Sequence, residues 1–353
     1  MKILIVKLGA IGDIIHTLPA LAMIRRSMPA ATIGWVAERR SAEILRGNPL
    51  IDELIEVDTR SLRGGNVIEK MLIDGTRQMR EVRRFEPDIS IDFQGLMKSG
   101  FIPLGSGAGS RWGFATQNLR EASARFFYTD AAAVPEKSHV IRQNLGLARA
   151  ALKLDIDDPP IEFPIGTSTE DTNEADEVAR AAGPRFAILN PAGGWVTKLW
   201  HPEKYGRLAD LIWEKFGMRS VVVSGPNEAE LASKVVEGSR SGTIVSATPS
   251  LKGFYELAKR ASVYIGGDTG PTHLAIAAGT PVVGIFGPTE WWRNGSLDPD
   301  DVCVERLDIG CRVDCHRRTC SQWICMEITP ETVLDAVSAR LKAKELTVAG
   351  LKK

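Results

Sequence analysis

The sequence predicts an α/β protein: two doubly wound, Rossmann-like domains facing each other across a cleft. Short runs rich in Val and Ile recur along the chain and alternate with stretches of helical period, as in "KILIV" and "PVVGIF". Strands apolar on both faces belong to parallel sheets covered by helices on either side. One stretch, "LDIDDPPIEFPIGTSTEDTNEADE", is rich in proline and acid with little apolar periodicity. It reads as a linker that parts the strands into two sets. At 353 residues the chain is also long for a single core.

The first set comprises "KILIV", "TIGWVA", "ELIEV" and "DISIDF". After the first strand comes "KLGAIGDIIHTLPALAMIRRSMP", whose helix is expected to begin around Thr17 to Pro19, because proline suits a first helical turn and disrupts an interior. That leaves about ten residues of connection, against roughly two to six in most such turns. The connection carries Gly9, Gly12, Asp13 and His16. Glu38 ends the second strand where a dinucleotide's ribose would be bound. The G-x-G-x-x-G pattern is absent, however, and Asp13 would repel a pyrophosphate, so nicotinamide binding is rejected. Two readings of Asp13 stay open: a helix N-cap, or a carboxylate held at the cleft as a general base.

The boundary falls near residue 165, giving a first domain at 1–165, a second at 166–328, and a terminal helix and tail at 329–353. The second set of strands is "FAILN", "SVVVS", "TIVS", "SVYIG" and "PVVGIF". In the following loop, "LNPAGGWVTKLW", Gly193 and Gly194 allow a ligand close to the backbone, and Lys198 offers a phosphate a point charge. A lone lysine in a loop is usually just a solvated side chain. "SGPNEAEL" puts Glu228 near a helix start, as a first-turn acid or as an acceptor for ribose hydroxyls. "YIGGDTGPTHLAIAAGTPVVGIFGPTE" reads as strand, glycine-rich turn, small-residue helix and strand. A helix start has unpaired N–H groups and the positive end of the dipole, a natural seat for a phosphate. A plain βα turn with a good N-cap would use the same residues. This turn and the Lys198 loop leave one sheet at strand C-termini, so together they would cradle a diphosphate from two sides. In "TPETVLDAVSARLKAK", Thr329 is the N-cap, Pro330 opens the helix, and Val333, Leu334, Val337 and Leu341 make one apolar stripe.

Basic and acidic residues balance at 44 each, which argues against nucleic acid as the main partner, since neutralising phosphates requires a basic face. Only "ILIV" lies between Lys2 and Lys7, too short for a signal peptide. No run approaches the ~18 apolar residues of a spanning helix, so a cytoplasmic protein is expected. Cys303, Cys311, Cys315, Cys320 and Cys325 all fall in one late segment. The spacing C-x3-C-x4-C-x4-C, with His316 inside, departs from the C-x2-C pairs of zinc ribbons. A structural or redox role such as a disulfide is favoured over a bound metal.

Together, "GDIIHTLPAL", "DFQGLMKSG", "KLWHPEKYGRLADLI" and "GGDTGPTHLAIAAGTPVVGIFGPTE" resemble the recurring blocks of glycosyltransferase family 9, the bacterial heptosyltransferases of the lipopolysaccharide inner core. The likeness covers nearly the whole chain. "DFQGLMKS" and "TQNLREASARFFY" look most like the branch that adds the first heptose to Kdo-lipid A. The resemblance implies a GT-B fold, with acceptor on the N-terminal domain and ADP-heptose on the C-terminal domain. It also implies transfer that inverts the anomeric centre, with no metal or other cofactor. By the same resemblance Asp13 is the base, Lys198 steadies the leaving diphosphate, and Lys198, Asp268, Thr269, Gly270 and His273 surround diphosphate and sugar. Glu228 holds the ribose, while Arg60, Arg63, Lys98 and Arg120 meet the acceptor's anionic groups. Where relatives in that branch can carry threonines on the diphosphate loop, this chain has Gly193–Gly194, which leaves backbone N–H groups to serve. The final helix is expected to cross back onto the N-terminal domain. A lipid acceptor implies work at the cytoplasmic face of the inner membrane. Two alternatives remain: a transferase of another nucleotide-linked sugar on the same fold, such as a later core heptosyltransferase, and a non-catalytic nucleotide-binding protein. A free carboxylate at position 13 argues against the second.

Overall fold

The computed structural model of the chain describes residues 1–58, 77–312 and 315–348. It divides into two compact units, Met1–Gly166 and Thr167–Lys353, each built on a six-stranded parallel sheet. In the first unit the strands are β1 (Lys2–Val6), β2 (Thr32–Glu38), β3 (Glu53–Val57), β4 (Ile89–Asp92), β5 (Ser110–Phe114) and β6 (Asp130–Ala132). Their spatial order is β3-β2-β1-β4-β5-β6. Ile3, Leu4, Ile5 and Val6 are fully buried because β1 has a strand on each side and covered faces above and below. That double burial is why the run contains no polar alternation.

The second unit repeats the winding. Its strands are β7 (Phe186–Asn190), β8 (Arg219–Val223), β9 (Ile244–Ala247), β10 (Val263–Gly266), β11 (Val282–Phe286) and β12 (Val302–Glu305), ordered β12-β11-β10-β7-β8-β9. In each sheet the direction of strand addition reverses beside the first strand, between β1 and β4 and between β7 and β10. Loops leaving the C-terminal ends of those neighbours diverge and open a crevice, where α/β sheets bind ligands.

Three strands escape a reading by apolar runs. β5 is interrupted by Gly113, β6 is three residues long, and β12 lies at the sheet edge with only Val304 buried. The linker reading also extends too far. Ser168 Oγ accepts from the Asp171 backbone N–H at 3.2 Å and starts a helix at Thr169–Ala182. The buried residues of that helix are only Ala175 and Ala182, too small to produce an apolar stripe. What remains of the linker is held on the first unit, where Asn48 Nδ2 donates to the Pro164 carbonyl at 2.7 Å.

The terminal helix, Pro330–Val348, starts as expected, with Thr329 Oγ1 accepting from the Thr332 N–H at 3.2 Å. Its stripe is buried in the second unit: Val333, Val337 and Leu341 join the core with Trp200, Leu208 and Ile285. The apolar face finds these partners on Pro202–Phe216, β11 and β12. No helix among the described residues is long and apolar enough to cross a membrane.

Candidate active site

At the crevice of the first sheet, Gly9 takes φ +149°, and a Cβ there would meet Ser41 Oγ at 2.6 Å, so only glycine suits the position. The connection after β1 is not bare: it folds into a short helix, α1 (Ile11–Ile15), before α2 (Leu18–Ser27) begins with Thr17 as its cap residue. Asp13 stands at the third position of α1 rather than at its N-cap. Its Oδ2 accepts from the Ala10 backbone N–H at 3.2 Å, so the carboxylate steadies the turn from inside the helix. Thr17 Oγ1 donates to the Asp13 carbonyl at 2.9 Å, and Asn144 Nδ2 donates to the His16 carbonyl at 2.9 Å. His16 itself is buried, edge-on to His139.

Asp92, at the end of β4, is fully buried and accepts from Ser99 Oγ at 2.8 Å, Tyr128 OH at 2.7 Å and the Gln94 N–H at 2.8 Å. Burial pushes its carboxyl above the ordinary range despite those bonds. The turn it folds presents Gln94, whose Oε1 accepts from the backbone N–H groups of Leu8 and Gly9 at 3.2 and 3.4 Å. The loop bearing Asp13 is thereby tied to the turn after β4. Lys98, in the first turn of α3 (Met97–Ser106), donates to Glu38 Oε1 at 2.8 Å, and Glu38 also pairs with Arg40 Nε at 2.9 Å. Arg120 is exposed on the segment after β5. Asp13, Lys98 and Arg120 thus follow the C-terminal ends of three adjacent strands, β1, β4 and β5. Arg60 and Arg63 lie outside the described residues.

The crevice of the second sheet holds a denser cluster. Lys198 Nζ donates to Asp268 Oδ2 at 2.6 Å and to the Asp268 carbonyl at 3.1 Å, and lies 4.3 Å from the Trp195 ring centroid. His273 Nε2 is 3.3 Å from Asp268 Oδ1. Burial opposes charge on Asp268, but hydrogen bonds and charge from His273 and Lys198 outweigh it and hold the carboxyl well below its usual range. Gly267 permits this approach: a Cβ there would meet the Lys198 carbonyl at 3.2 Å. The helix at Gly270–Ala277 follows at once, with Thr269 as an extended cap residue and Pro271 in the first turn, so its positive dipole end faces this turn. Gly193 packs against Leu199, whereas Gly194 is exposed with open space at its Cβ position. Glu228 Oε2 accepts from the Gly225 N–H at 2.8 Å, closing the turn before the helix at Ala229–Glu237.

A family model for glycosyltransferase family 9 (heptosyltransferase) matches residues 76–325, a span that includes this cluster. The chain belongs to glycosyltransferase family 9. It is a glycosyltransferase of GT-B fold. Lipopolysaccharide heptosyltransferase 1 of Pseudomonas aeruginosa is 29% identical, with 91% of this chain and 88% of that protein covered. The namesake in Campylobacter coli is 28% identical, over 87% of this chain and 96% of its own. Among solved structures, E. coli heptosyltransferase WaaC with ADP superposes with a TM-score of 0.79 at 24% identity, covering 96% and 100% of the two chains.

Behind the family 9 cluster lies a buried network that motif reading misses. Asn190 Nδ2 donates to Tyr264 OH at 3.0 Å and Thr269 Oγ1 at 3.2 Å, Tyr264 OH and Thr272 Oγ1 share a bond at 2.9 Å, and Thr272 Oγ1 donates to the Gly267 carbonyl. It fixes the Asp268 turn to the end of β7. The available signal was an asparagine ending an apolar strand, beside a tyrosine inside another. Glu38, at the end of β2, takes its place here as the partner of Lys98. Among the described residues no three His, Cys, Asp or Glu side chains converge to hold a metal ion.

Proposed function

We propose that this transferase moves heptose from ADP-heptose to Kdo-lipid A, with inversion at the anomeric carbon and Asp13 as general base. The observation that carries the reading is the Lys198–Asp268–His273 cluster at the start of a helix, in the crevice of the second sheet. A sugar hydroxyl is a poor nucleophile, so Asp13 takes its proton as the new bond forms. The departing diphosphate gains charge. Two of the three Lys198 N–H donors are directed at Asp268, and the third is the one a phosphate oxygen would take. Asp268, held ionised, orients the lysine and does not serve as a base. The helix start at Thr269 and Gly270 adds backbone donors and dipole, so fixed positive groups do the work a metal does in other transferases.

Gly193, Gly194 and His273 complete the diphosphate and sugar surroundings, and Glu228 the ribose contact. Lys98, Arg120, Arg60 and Arg63 meet the acceptor's phosphate and carboxylate groups, at the cytoplasmic face of the inner membrane. The names of the relatives support the substrate class, and the solved relative with ADP supports the nucleotide. The test is incubation with ADP-heptose and Kdo-lipid A, followed by mass measurement of the lipid. A gain of one heptose is expected. Gain only on an acceptor that already carries heptose would move the enzyme to a later step, and no gain on either would overturn the reading.

A further inference from the structure

We propose that Cys320 is a thiol–disulfide exchange site for low-molecular-weight disulfides, and that its modification loosens the loop carrying Lys198. Cys311, Cys315, Cys320 and Cys325 line one cavity of about 20 Å³ together with Thr197, Pro288 and Trp323. All five cysteines of the chain are free thiols, so the disulfide expected of this segment is not formed. Cys320 and Cys311 are exposed, and Cys315 and Cys325 half-buried. Cys320 Sγ accepts the Trp323 backbone N–H at 3.3 Å. That bond and one from the Gln322 N–H hold the thiol below its ordinary value, with a smaller contribution from the Arg317 charge. Burial pushes the Cys325 thiol up, and the neighbouring Cys315, Cys320 and Cys311 add to the effect. The cavity therefore sets an accessible, thiolate-favouring sulfur, Cys320, together with Cys325, whose thiol is held protonated, and two further cysteines, the arrangement that exchange needs.

The same turn grips the donor loop. Thr197 Oγ1 donates to the Arg317 carbonyl at 2.6 Å, and Trp323 Nε1 donates to the Thr197 carbonyl at 3.0 Å. Arg318 lies 5.2 Å from the Trp195 ring centroid, the ring over which Lys198 also sits. Residues on both sides of Cys320 thus hold Thr197, the neighbour of Lys198. Trp323 has φ +44°, a left-handed conformation unusual for a bulky residue, so its turn depends on bonds such as N–H···S.

In the reaction, the Cys320 thiolate attacks a disulfide RSSR, forming Cys320–S–S–R and releasing one RS⁻, which takes a proton from water. A second cavity thiol loses its proton and attacks Cys320 Sγ, releasing the other RS⁻ as RSH. Two protein thiols are oxidised to a disulfide, and RSSR is reduced to two RSH. The sulfur no longer carries charge, the Trp323 N–H···S bond weakens, and the grip on Thr197 relaxes.

The effect on the donor rests on the proposed role of Lys198. The full chain is treated with glutathione disulfide in buffer free of reductant. Modified sites are mapped by mass spectrometry against time, and ADP affinity is measured by calorimetry on the same samples. Cys320 is expected to react before Cys311. The Kd for ADP should rise about tenfold, the equivalent of roughly one hydrogen bond. Dithiothreitol should restore affinity, and Cys320→Ser should abolish the response. Equal rates at Cys311 and Cys320, unchanged ADP affinity after modification, or thiols protected by a co-purified metal would each overturn the proposal. Failure of the reduced chain to bind ADP would overturn the donor reading and its coupling to Cys320, while the exchange site is still read by mass alone.

Discussion

If Asp13 is the general base proposed above, its carboxylate serves both the turn and the chemistry, and one substitution separates the two. Asparagine at the third position of α1 keeps an oxygen for the Ala10 N–H, so Asp13→Asn should leave the melting temperature nearly unchanged. It cannot take a proton, so kcat should fall by roughly 10²–10⁴-fold, the usual cost of losing general acid–base catalysis. ADP affinity should hold, since the donor cluster belongs to the other unit. Turnover and ADP affinity measured on the same folded variant decide it. Near-normal turnover would reduce Asp13 to a turn residue. The position was legible as important because the carboxylate follows Gly9 and Gly12 on a long βα connection. Its place at the third helical position was not legible, because α1 is too short to show a period.

The turn from β10 into the helix at Gly270–Ala277 works as a unit, and its electrostatics carry a pH signature. The folded state holds the Asp268 carboxyl below its ordinary value of 3.8. Its contribution to stability is therefore fully present above that value and is lost as pH falls through the lower, folded one. Asp268→Asn leaves Lys198 buried beside a neutral amide, at a cost on the order of 3 kcal/mol near neutral pH. The difference in melting temperature between parent and variant should stay constant from about pH 7 to 5 and narrow below about pH 4. A gap that widens on acidification would refute this assignment. The glycines, the aspartate and the proline of this turn announce it in the sequence. The buried backing of Asn190, Tyr264 and Thr272 does not, because each lies on a different element and they meet only when β7 and β10 pair.

Across the whole molecule the same winding occurs twice, so each sheet has one switch point and each switch point one cluster. The first gathers a carboxylate and basic side chains; the second gathers a lysine and a helix start. If fixed positive groups stabilise the leaving diphosphate, transfer should persist in excess chelator at an unchanged rate. Activity lost on chelation and regained with Mg²⁺ or Mn²⁺ would show that a metal carries part of the charge.

Local patterns alone determined the alternation of strands and helices, the two-part division, the glycine-rich turn and the cap of the last helix. Each depends on neighbours in the chain: buried parallel strands need unbroken apolar runs, tight turns need glycine, and helix starts need a capping oxygen. Tertiary structure alone decided the rest. Whether Lys198 is solvated or engaged depends on Asp268, seventy positions on by number and 2.6 Å away in space. The last helix shows its apolar stripe in sequence, but a stripe does not name its partner, and only packing put Val333 and Val337 on the second sheet. The four cysteines read as a spacing, and the fold turned that spacing into one cavity against Thr197. Long-range pairing is set by the complementarity of whole surfaces, and no window of sequence contains both surfaces at once.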